Sequence, residues 1–100
     1  MINGINCTGG INLAEKKTFT FYSDPGHGWL EVEKQDLIAL SLEGRISSFS
    51  YIDGEKVYLE EDCDASLFWK AYEDKYNTTL RYREVYQEDC FIRNLQHYRR

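Results

Sequence analysis

Asp53-Gly54 lies between two runs, ISSFSYI and EKVYLEE, in which aromatic and branched side chains interleave with polar ones. No other stretch limits the folding of this chain as strongly. A two-residue hairpin turn demands positive φ, which glycine accepts freely and aspartate tolerates. The dipeptide predicts a turn centred on Asp53-Gly54, with 50–52 and 55–57 paired across it. That commits the middle of the chain to antiparallel sheet.

The same reading extends in both directions. Upstream, TFTFY (18–22) has the aromatic and β-branched content of a strand. Ser23-Asp24-Pro25-Gly26 is turn chemistry, and GHGWLEVE then sets Trp29, Glu31 and Glu33 against Leu30 and Val32 with a period of two. These two strands form a first hairpin. Between the hairpins, Leu37, Ile38, Leu40 and Ser41 share a helical face and Gly44 follows as a stop, predicting a helix of two to three turns. Downstream, Asp62 or Asp64 can cap a second helix. Its stripe is Leu67, Phe68, Ala71, Tyr72 and Lys75/Tyr76, and Asn77 is a left-handed stop. TLRYREVYQ alternates again as a fifth strand, and the tail CFIRNLQHYRR is either a turn of helix or an extended edge segment.

The order ββ-α-ββ-α-β predicts an α+β two-layer sandwich, a mostly antiparallel five-stranded sheet with both helices on one face. Residues 1–16, polar and carrying Gly4, Gly9 and Gly10, read as a flexible N-terminal leader; 17–100 read as a single α+β domain. One hundred residues leave no room for a second domain, and 42% hydrophobic with 15% aromatic residues suffices for a packed core.

Several function classes are disfavoured. A net charge of −5 argues against nucleic-acid binding, which needs a basic stripe. No apolar run reaches the roughly 20 residues that cross a membrane. The first residues, MINGINCTGGINLAEKK, have neither the basic nor the apolar region of a secretory signal, so a cytoplasmic location is expected. Cys7, Cys63 and Cys90 are odd in number and widely spaced, and His27 and His97 complete no zinc pattern. Free thiols, no metal and no cofactor follow as expectations.

Two clusters could carry chemistry. In DPGHGW, His27 could act as an acid or base beside Asp24 where glycines admit a ligand, with Trp29 next to it; the plainer reading is a β-turn. In LEEDCDA, Glu60, Glu61, Asp62 and Asp64 could meet a cation or a basic partner; the plainer reading is helix capping with solvated surplus charge. Charge is uneven as well: 53–74 hold eight acids and two bases, while 75–100 hold six bases and three acids.

FYSDPGHGWLEV, ISSFSY, VYLEEDCDASLF and FIRNL, in that order, resemble a family of small single-domain proteins encoded by bacteriophages and other mobile elements. The likeness runs from about Phe19 to Tyr98. It implies the cytoplasm of a bacterial host as the setting and assigns no activity or catalytic residue. The family's serine before FIR is Cys90 here, which speaks against a functional role for that thiol. The expected function is a small acidic protein-binding module acting on a bacterial host protein, either host machinery or an antiviral defence system. The alternative is a small enzyme or ligand- or metal-binding protein using the Asp24–His27 and Glu60–Asp64 turns. A homodimer formed through an open strand edge is the third possibility.

Overall fold

The computed structural model describes residues 17–99, so the leader expected over 1–16 lies outside them. Along the chain come β1 (Thr18–Ser23), β2 (Gly28–Glu33), α1 (Lys34–Ala39), β3 (Tyr51–Asp53), β4 (Lys56–Glu60), α2 (Asp64–Tyr76) and β5 (Arg81–Tyr86). A 3-10 turn at Phe91–Asn94 and a short strand, β6 (Gln96–His97), complete the described residues. The strands form one open sheet in the order β5-β1-β2-β4-β3-β6.

The fold is α+β, as the element order implies, but the sheet departs from expectation twice. Among the described residues it has six strands rather than five, because the tail supplies both a 3-10 turn and an edge strand. It is mixed: among the described residues four of its pairings are antiparallel, in keeping with a mostly antiparallel sheet, but β5 lies parallel to β1 from Thr18↔Arg81 to Ser23↔Tyr86. The direction follows from the connections. β2 is antiparallel to both β1 and β4, so β1 and β4 run the same way. The α2 crossover then returns β5 in the direction of β4, and hence of β1. Periodicity reports which side chains face inward and carries no information about strand direction. A strand of two residues has no period at all.

The second hairpin forms one residue later than the dipeptide suggests. Asp53 pairs with Lys56, so Gly54-Glu55 are the loop residues. Gly54 alone of the loop takes positive φ, +63°, the first-position glycine of a type II′ turn. This register sets Ile52 opposite Val57 and Tyr51 opposite Tyr58. The expected register would have set Ser50 against Val57 and separated the apolar partners.

The helices also differ in detail. α1 begins at a capping box between Glu33 and Asp36 and stops after six residues, where Ser41 turns left-handed at φ 58° ahead of Gly44. Leu37 is buried but Ile38 is 57% exposed, so only part of the expected face packs. α2 runs thirteen residues and closes at Asn77 in the left-handed region, φ 51° and ψ 48°. Cys63 occupies its N-cap position without a side-chain capping bond.

Both helices pack on one side of the sheet, where Leu37, Ala65, Phe68 and Tyr72 meet Phe19, Leu30, Val32, Val57 and Leu59. Phe19 sits edge-on to both Phe68 and Tyr72. The opposite face is covered too. Beyond β5 the chain crosses that face as a strap, from one sheet edge to the other, and buries Cys90 and Ile92 against Trp29 and Tyr58. Gln87 N–H donates to the Ser23 carbonyl (2.9 Å) at one end, and Tyr98 N–H donates to the Ser50 carbonyl (2.8 Å) at the other. A sheet with two cores replaces the one-sided arrangement.

Candidate functional site

The turn between β1 and β2 is built on one carboxylate. Asp24 Oδ1 accepts the backbone N–H groups of Gly26 and His27, each at 2.9 Å, and Asp24 N–H donates to the His27 carbonyl. This is the self-capping loop that aspartate makes when its side chain mimics a backbone turn. Arg93, from the strap, donates Nε and Nη2 to the two oxygens of the same carboxylate. The Arg93 guanidinium holds the Asp24 carboxyl far below the usual range; burial opposes this, and the His27 and Gly26 amides reinforce it. Through these bonds the Asp24 carboxylate fastens the strap.

The glycines of the turn answer to packing. A Cβ on Gly28 would lie 2.5 Å from the Phe21 ring, so that position must be bare for Phe21 to reach the core. His27, half exposed, points its ring toward the other acidic stretch, with Nδ1 3.5 Å from Glu60 Oε2. Glu61 N–H donates to the Gly28 carbonyl at 3.0 Å. The two turns singled out in the sequence therefore meet.

Where they meet is a cleft of about 410 Å3. Trp29 and Tyr51 supply its aromatic walls, their rings edge to face at 6.3 Å, and His97 stacks on Tyr51 at 4.6 Å. Glu60 and Asp62 bring carboxylates to it, and Phe49, 69% exposed, stands at its rim. Arg93 lies 5.4 Å over the Trp29 ring, already in a cation–π position.

Asp64 supports this cleft from behind. It is 2% exposed, and its Oδ2 accepts from Ser47 N–H (3.0 Å), Ser47 Oγ (2.7 Å) and Ser50 Oγ (2.6 Å). Ser50 Oγ in turn accepts Glu60 N–H at 3.0 Å. One buried carboxylate thus fixes the loop that carries Phe49 to the strand that carries Glu60.

Of the residues expected at a site, His27, Trp29, Glu60 and Asp62 line the cleft. Asp24 and Asp64 hold its framework, and Glu61 lines a separate groove with Phe21 and Trp69. Sequence reasoning missed Phe49, Tyr51, Cys63, Arg93 and His97. Phe49 left a trace, a large aromatic alone among serines. Arg93 left none, because its partner is 69 residues away.

Among the described residues no group of three or more His, Cys, Asp or Glu is placed to hold a metal ion. Cys63 lines the cleft, but desolvation raises its thiol pKa, with Asp64 and Glu60 adding to the rise against a bond to Ser47. Cys63 and Cys90 are both free, as expected; Cys7 lies outside the described residues. No helix among the described residues is long and apolar enough to cross a membrane. No known protein family, curated protein or solved structure matches this chain.

Proposed function

We propose that this chain is a small acidic protein-binding module carried by a phage or other mobile element. It acts in the bacterial cytoplasm on a host protein, either a component of host machinery or of an antiviral defence system. The contact surface is the cleft between the two turns. Phe49 is the observation that carries this reading. A solvated phenylalanine is costly, and here it is held on a loop fixed by Asp64, beside the aromatic walls of Trp29 and Tyr51. Large aromatics next to a pocket are the residues that dominate protein interfaces. The test is affinity capture from bacteria producing the tagged protein. A host protein captured by the native chain and lost with Phe49→Ala supports the reading; equal capture by both removes the cleft from the interface.

A second reading has its own observation. The His27–Glu60 pair, 3.5 Å apart at the cleft, is an arrangement that can orient an imidazole for proton transfer. A His27→Ala variant that stays folded yet loses all biological effect would bring this ligand-binding or catalytic reading forward.

A further inference from the structure

Building on the binding reading, we propose that the cleft receives a cationic side chain of the partner, a lysine or an arginine. Three features of the walls agree. Phe49, exposed, and Tyr51, half-buried, leave aromatic surface open in the cleft, and the Arg93 guanidinium over the buried Trp29 ring shows the same cation–aromatic pairing already made beside it. The carboxylates are undercompensated. Among the described residues the only cationic partner of Glu60 is His27, charged only when protonated, and no salt bridge reaches Asp62. Arg93 does not reverse the sign of the cleft, because Asp24 neutralises it through both oxygens.

Other occupants fit less well. An acidic group would face Glu60 and Asp62, and like charges drawn together out of water repel strongly. An apolar side chain would desolvate both carboxylates without returning a partner. A lysine or arginine stem lies along aromatic surface while its head reaches the acids. The second groove, beside α2, is a contrast. At about 490 Å3 it is larger, but Glu73 there is engaged by Trp69 Nε1 and the Leu80 N–H, and Asp74 by Lys70. Two of its three acids already have partners, and Lys70 brings a cation of its own to the groove.

The experiment is an NMR titration of the full chain with Nα-acetyl-lysine amide and Nα-acetyl-arginine amide, using the norleucine and glutamate amides as controls. At least one cationic probe is expected to shift the Trp29 indole N–H and the amides of Phe49 and Glu60 saturably, binding roughly tenfold more tightly than norleucine. The double variant Glu60→Gln, Asp62→Asn keeps the shape and the Asp62 N–H acceptor, and is expected to lose that preference. No saturable shift with either cationic probe, equal binding of norleucine, or an unchanged preference in the double variant would overturn the proposal. The two proposals separate in affinity capture. A host protein held through Phe49 equally well by the native chain and the acid-to-amide variant leaves the module standing and removes the cation. Saturable cationic probes without any captured host protein do the reverse.

Discussion

A carboxylate that accepts two amides and a bidentate guanidinium is worth more to the folded chain than to the unfolded one, and Asp24 is in that position. Its pKa is depressed on folding, so its contribution is complete above the unfolded value near 4 and is lost as pH falls through the folded one. Asp24→Asn is therefore expected to lower the melting temperature at neutral pH, with the gap to the native chain narrowing on acidification. A gap independent of pH would mean that the charge does not matter. Trp29 and His27 separate just as clearly. Trp29 is 2% exposed and central to the second core, so Trp29→Ala is expected to cost about 3–5 kcal/mol in denaturant unfolding. Trp29→Phe is expected to cost less, because the indole N–H has no partner among the described residues. His27→Ala should stay within about ±0.5 kcal/mol. At this scale the sequence was informative about residue type and silent about partners. The turn chemistry of Asp24 was visible in DPGH, but the arginine that fastens it was not.

Among the elements, the β3–β4 hairpin offers the sharpest test of register. With Gly54 at φ +63° and Asp53 in a negative-φ strand pair, Gly54→Val is expected to destabilise by at least about 1–2 kcal/mol, and Asp53→Ala by much less. Thermal melts of the two variants check this; comparable losses would favour the turn centred on Asp53-Gly54. The hairpins, the two helices and the Asn77 stop were legible because each rests on neighbours in sequence. The register was misplaced by one residue because Asp-Gly chemistry suits either placement, and the Ile52–Val57 pairing decided between them. The parallel partner of β1 and the two-residue β6 were illegible. One depends on the path of a crossover helix, the other on an edge with which to pair.

Taken whole, the described residues form an open sheet with a core on each face, and the strap is the lid of its second core. Cys90 lies beneath that lid, fully buried, while Cys63 is exposed. A thiol reagent followed by peptide mass mapping is expected to label Cys63 at once and Cys90 only as fast as the strap opens; simultaneous labelling would mean that the strap is not closed in solution. The strap and β5 also impose an order of assembly. Either hairpin can form from adjacent residues, whereas Thr18 must await Arg81, and Asp24 must await Arg93. Closing such long loops has an entropic cost before any contact offsets it, so these joins are expected to come late. Tyr51, Trp29 and Glu60 are in place with the early pieces, but Arg93 and His97 arrive with the last. A half-made copy therefore presents no finished cleft, which exists only once the last of these joins is made.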